Sequence, residues 1–190
     1  MSPATPSRSR SAQAWVELRS SDPWAWTALH AIRTHLPGGQ KLRSMRRVRM
    51  FELSGALPAR GRLEDLLHRS TQFYNPHKEG CVLRRGVRDP VPVGAGDTSV
   101  VVWERDGGRC GAAERWLKRE TGKAVRVRES TVWVLGWEPG MSEADRLERT
   151  RDLAVLRDRR HGLLANPHAE DAAVHRGAPP LPALPASEAK

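Results

Sequence analysis

Two cysteines, one tyrosine and two phenylalanines are all that 190 residues contain of these types. Cys81 and Cys110 belong to no C-x-x-C pair, and a structural zinc site takes four N or S ligands with close pair spacing, so a zinc finger or ribbon is excluded. The two thiols read instead as small buried hydrophobes or half-exposed side chains. No run of about 18 apolar residues occurs, which excludes a spanning helix. The opening stretch MSPATPSRSRSAQ lacks the apolar segment of a secretory signal. These absences lead to the expectation of a cytoplasmic protein with no membrane contact. The chain also lacks a P-loop, an RNP motif, a GXXG loop and a G-x-S-x-G elbow, so no nucleotide cradle, RNA-reading motif or hydrolase nucleophile declares itself.

What is present is positive charge. Lys and Arg number 32 against 22 Asp and Glu, a net charge of +10 that invites a phosphate-rich partner. Arginine is nevertheless spread along the chain, and its densest cluster is KLRSMRRVR, residues 41 to 49. Base stacking would require exposed aromatics on a sheet beside that cluster. A basic RNA-binding module therefore stands as an alternative function, as does a small ligand-binding or sensor protein, and nucleic acid is not the expected partner.

Proline and glycine divide the chain. Residues 1–12 are rich in Ser, Pro and Arg and read as a disordered N-terminus. Residues 176–190, RGAPPLPALPASEAK, read as a Pro-rich disordered tail. The stretch RRGVRDPVPVGAGDTS has a linker's composition, so residues 85–98 separate a first unit, 13–84, from a second, 99–175. In the first unit AWVELRS reads as a strand and DPWAWTALHAIRTHLPGG as a helix with Asp22 at its N-cap and Pro23 at its first position. Residues 41 to 55 read as two strands joined by a tight turn. Leu63, Leu66, Leu67 and Phe73 share one helical face, that helix is ended by Asn75-Pro76, and EGCVLR is a short last strand. The second unit repeats the order. SVVVWERD is a strand, CGAAERWLKRETG a helix stopped by Gly122, and residues 123 to 138 two strands broken at Glu129-Ser130. A long helix capped by Ser142 then runs to Asn166-Pro167, followed by the strand AEDAAV.

Both units thus read as β-α-β-β-α-β, the ferredoxin-like order. Trp15 to Arg19 aligns with Val101 to Arg105 at an offset of 86, and the motif Asn-Pro-His-x-Glu recurs from residue 75 to residue 166, an offset of 91 attributed to a longer second helix. The fold class expected is α+β, two tandem ferredoxin-like units forming a pseudo-dimer. Helices on one face of each sheet leave the other bare, and two copies packed sheet to sheet would cover each other. Several of the seven tryptophans are expected in the core or in that seam.

No catalytic set stands out. His77 and His168 are the only histidines at matching positions; a metal reading needs both in one place with a carboxylate such as Glu79 or Glu170, and the competing reading is a turn whose residues are chosen for geometry. The candidate motif or partner-contact residues are Asn75, Pro76, His77 and Glu79 with Asn166, Pro167, His168 and Glu170. No catalytic, cofactor-binding or metal residue is assigned.

The stretch LLANPHAED, with Leu163, Leu164, Ala165, Asn166, Pro167, Glu170 and Asp171, closing a strand-helix-strand-strand-helix order, resembles the C-terminal part of the PurS family. In the first unit Asn75, Pro76 and Glu79 match, and Phe73-Tyr74 replaces Leu-Ala. PurS is the small subunit of phosphoribosylformylglycinamidine synthase, a ligase complex of purine biosynthesis. The resemblance implies a non-catalytic assembly subunit bridging a PurQ-like glutaminase and a PurL-like synthetase for ammonia channelling. It holds no cofactor of its own, because ATP and glutamine are used by the partner subunits. The usual member is a single unit, so the resemblance implies a tandem, fused form, a pseudo-dimer able to associate further. Neither the basic charge nor the Pro-rich tail belongs to the family pattern.

Overall fold

The computed structural model describes residues 10–106, 110–158 and 161–185. Local rules set most element starts. The Asp22 side chain accepts a hydrogen bond from the Trp24 N–H at 2.9 Å, Pro23 fills the first position where no N–H is needed, and helix α1 runs Pro23–His35. Ser142 caps α4 in the same way through the Asp145 N–H, and Gly122 stops α3 in the left-handed conformation. In chain order the elements are β1 (Arg10–Leu18), α1, β2 (Leu42–Gly55), α2 (Arg60–Arg69), β3 (Glu79–Arg84), β4 (Thr98–Glu104), α3 (Gly111–Thr121), β5 (Val125–Trp137), α4 (Glu143–Ala154) and β6 (Glu170–Arg176).

The six strands form one antiparallel sheet in the order β3-β1-β2-β5-β4-β6. This is an α+β architecture, and it corrects the expected arrangement in two ways. Residues 41 to 55 and 123 to 138 each supply one long strand where two with a turn were expected. The midpoints, Val48-Arg49-Met50-Phe51 and Glu129-Ser130-Thr131-Val132, contain no glycine or asparagine suited to a tight hairpin, so the chain continues straight. β2 and β5 then pair from Leu42↔Trp137 to Gly55↔Val125. The two halves therefore meet edge to edge in one sheet and are not stacked face to face.

The pairing registers repeat between the halves. Trp15 pairs with Val82 and Val101 with Ala173, offsets of 86 and 91; Ala14 pairs with Phe51 and Val100 with Trp133, offsets of 86 and 82. Arg49 pairs with Thr131, itself an offset of 82, so this pair marks the centre about which the halves are related. A longer helix supplies only part of the offset of 91, since α4 has 12 residues and α2 has 10. Most of it arises between Ala154, where α4 stops, and Ala165, which returns to form a bridge with Val155. Gly162 makes the return feasible: at φ +80° a Cβ there would lie 1.7 Å from the Val155 carbonyl oxygen.

Each half completes the core of the other. One core joins Ala14 and Val16 of β1, Phe51 of β2 and Leu63, Leu66 and Leu67 of α2 to Leu117 of α3 and Val127 of β5. The other joins Val100 and Val102 of β4, Leu135 of β5 and Leu153 of α4 to Ile32 of α1 and Leu42 of β2. All four helices thus serve one sheet face. The outer face carries Trp15, Val48, Met50, Val101, Val132 and Val134, and is covered by Val91 and Val93 of the inter-unit segment together with Ala183 and Leu184 near the C-terminus. Residues 177–185, expected in a free tail, lie against the sheet; 186–190 and 1–9 fall outside the described residues, and β1 already runs at Arg10. Among the tryptophans, Trp15 and Trp137 are buried, whereas Trp24 and Trp26 on α1 are exposed. No helix among the described residues is long and apolar enough to cross a membrane.

Because both cores mix residues of both halves, unfolding is expected as one cooperative transition. Chain cleavage within residues 86–97 should leave the two fragments associated. Denaturant titration and gel filtration of the nicked protein check this; fragments that elute separately would refute the shared cores.

Candidate functional site

The repeated Asn-Pro-His-x-Glu stretches do not end helices, since α2 stops at Arg69 and α4 at Ala154. They form turns that launch the edge strands β3 and β6, and the two are built alike. The Asn75 side-chain oxygen accepts from the His77 N–H at 3.0 Å, its carbonyl accepts from the Glu79 N–H at 2.8 Å, and the Glu79 carboxylate accepts from the Asn75 N–H at 2.7 Å. In the second copy the Asn166 side chain accepts from His168 N–H at 3.0 Å, its carbonyl from Glu170 N–H at 2.8 Å, and the Glu170 carboxylate from Asn166 N–H at 2.7 Å. Asn suits this place because its short amide mimics a backbone turn, and Pro76 and Pro167 preset the next φ. The glutamate closes the ring by satisfying an N–H that the turn leaves over.

The two residues before each Asn are anchors. Phe73 and Tyr74 are buried in one core, Leu164 and Ala165 in the other. Phe73 meets Phe51 edge-on at 5.3 Å between ring centres. The chain then emerges, and Asn75, His77, Asn166 and His168 are all exposed. The structure does not bring the two motifs together. β3 and β6 are opposite edges of the sheet, five strand spacings or about 24 Å apart. His77 and His168 therefore cannot share an ion, and no group of three or more His, Cys, Asp or Glu suited to a metal occurs among the described residues.

The corners differ in one respect. At the first, Arg49 reaches from β2 to the Glu79 carboxylate at 2.9 Å and the Phe73 carbonyl at 3.0 Å, and approaches Glu129 at 3.5 Å. Thr131 holds the equivalent place in β5, too short to reach Glu170. A groove of about 390 Å³ opens there, lined by Trp103, Glu104, Glu129, Thr131 and Glu170.

Arg49 was legible only as one of a basic cluster, and three of the five basic residues of that cluster, Arg46, Arg47 and Arg49, are engaged within the molecule. Arg47 binds Asp22 at 2.8 Å and lies over the Trp24 ring. Arg46 donates to the Pro92 carbonyl at 2.9 Å and lies 3.7 Å from both Glu17 and Asp97. The outer sheet face is covered, and the exposed Trp24 and Trp26 stand on a helix, so the strands offer no open row of aromatics beside these arginines.

Burial, reinforced by Glu64, pushes the Cys81 thiol up to about 11; burial with Glu129 does the same at Cys110. Neither is a ready thiolate nucleophile at neutral pH. Burial lowers the pKa of His175, whose Nε2 has no hydrogen-bond partner. No protein-family model, curated protein or solved structure matches the chain.

Two outcomes are expected. Glu79→Ala removes a carboxylate held by both a backbone N–H and Arg49 and should cost about 1–3 kcal/mol, with Glu170→Ala at the low end because no arginine among the described residues joins it; urea unfolding measures the difference. The folded protein resists protonating His175 while the unfolded chain does not, so this residue's contribution is present at neutral pH and is lost as pH falls through the histidine range. His175→Gln should flatten the slope of the urea midpoint between about pH 7.5 and 5.

Proposed function

We propose that the chain is a covalent pair of ferredoxin-like units with exchanged segments, serving as a non-catalytic assembly subunit of a PurS-like kind. In this reading each unit takes its first helix and second strand from its twin. β1, the second half of β2, α2 and β3 are completed by α3 and the first half of β5, giving the ferredoxin-like strand order with every neighbour antiparallel. The reciprocal set completes the other unit.

One observation carries the functional reading: the same turn recurs bond for bond at two diagonal corners, each with its preceding pair of side chains locked in a core and its histidine presented outward. A matched pair of rigid, exposed corners suits a protein that holds other subunits in a two-fold-related way. The Leu-Leu-Ala-Asn-Pro stretch lies at one of them. The partners proposed are a glutaminase and an ATP-dependent synthetase that together convert formylglycinamide ribonucleotide to its amidine. ATP and glutamine are consumed on those partners, and the site of action is the cytoplasm.

Affinity purification from native extract should recover both enzymes, and disruption of the gene should produce purine auxotrophy. Replacing His77 and His168 together by Ala should weaken that recovery without moving the melting temperature. Recovery of neither enzyme, with growth independent of purine, would remove the reading.

A further inference from the structure

The outer sheet face holds polar side chains that an apolar surface does not need. Gln13, Glu52 and Arg84 are 0 %, 4 % and 4 % exposed, and buried groups of this kind are costly unless bonded. Their partners include residues 177–185, the segment GAPPLPALP. Arg84 donates to the Pro179 carbonyl at 2.7 Å and Gln13 to that of Pro180 at 2.7 Å. The Glu52 carboxylate accepts from the Ala183 N–H at 2.6 Å and the Leu184 N–H at 3.2 Å. Arg128, itself paired with Glu52 at 2.7 Å, donates to the Leu184 carbonyl at 3.1 Å and to that of Pro185. Leu184 is buried against the cluster containing Trp15 and Val132.

The arrangement suits a proline-rich strand of chain. Four of the nine residues are proline and bring no N–H to satisfy, so the face supplies donors to five carbonyls, the Ser99 hydroxyl reaching that of Gly177 at 2.6 Å, and one carboxylate for two successive amides. A second lane repeats the device. Arg46 stands at the position equivalent to Arg128, by the offset of 82, and holds the Pro92 carbonyl between Val91 and Val93, which pack on the same cluster. That lane is fixed by β3 before it and β4 after it. The segment 177–185 joins no strand ladder; beyond one backbone bond at its start, from the Gly177 N–H to the Asp97 carbonyl at 3.0 Å, it is held by side chains of the face and by the burial of Pro179 and Leu184.

We propose that the outer face formed by Gln13, Glu52, Arg84 and Arg128 is a peptide-binding site for extended proline-rich segments, with residues 177–185 as its exchangeable resident ligand. The segment of a second copy is the trans ligand it fits. This rests on the fold alone and is independent of the purine-pathway reading.

The test uses the full chain carrying Leu184→Asp, which evicts the resident segment, and a labelled peptide of residues 177–185. Fluorescence anisotropy should show saturable binding to this variant and at least tenfold weaker binding to the parent protein, whose lane is filled. Adding Glu52→Gln should lower binding at least tenfold, and a peptide carrying Leu184→Asp should not bind. A folded variant that fails to bind, or a parent protein that binds equally well, overturns the proposal. Should Leu184→Asp prevent folding, amide hydrogen exchange in the parent protein decides. Faster exchange at Ala183 and Leu184 under excess peptide supports a displaceable segment; exchange only at the rate of global unfolding refutes it.

Discussion

The antiparallel seam between β2 and β5 is the interaction on which the rest depends. It runs from Leu42↔Trp137 to Gly55↔Val125, through the central pair Arg49↔Thr131. A hairpin at the middle of either strand would have folded each half back on itself. Continuing straight, each strand spends half its length beside its own unit and half beside the other. The helices follow their strands, so α1 lands over the second core and α3 over the first. The sharing of both cores between the halves is a result of this one choice of extended over turned backbone.

A single sheet with four helices on one side has an outer face to hide. The molecule solves this with irregular chain, laying the segment after β3 and the segment after β6 across it in equivalent lanes. Proline suits such a covering segment because it stays extended and removes donors that would be hard to satisfy there. The cover is therefore thin, local in sequence to the edge strands, and held by arginine, glutamine and glutamate side chains of the face itself.

Much of the element order was legible because local chemistry fixes it. Asp22-Pro23, Ser142 and Gly122 mark helix ends by hydrogen bonding and φ preference, which need no tertiary context. The motif repeat was legible for the same reason, as the turn's bonds span only four residues. The long strands were not. Alternation such as Val125-Arg126-Val127-Arg128 reports a strand but says nothing about whether it ends at Glu129 or passes through it; the partner 80 residues away in sequence, as in Met50↔Ser130, decides. Proline-rich composition was read as disorder because the matching face, Gln13 between Ala12 and Ala14 and Glu52 between Phe51 and Leu53, looks like ordinary solvent-facing alternation until its cover is seen. The candidate residues were picked from the repeat alone, and their separation across the sheet, on strands β3 and β6 at opposite edges, was beyond reach of the sequence.

Arg49 and Thr131 face each other at the centre of relation, yet they are different residues. In a self-paired subunit made from a shorter gene, any change is copied into both partners, and the two corners must stay identical. Two halves written separately along one polypeptide carry no such restriction. Here one corner is sealed by a guanidinium while its counterpart is left as an acidic recess, so a sheet whose pairing repeats about a central axis carries two ends that are not interchangeable.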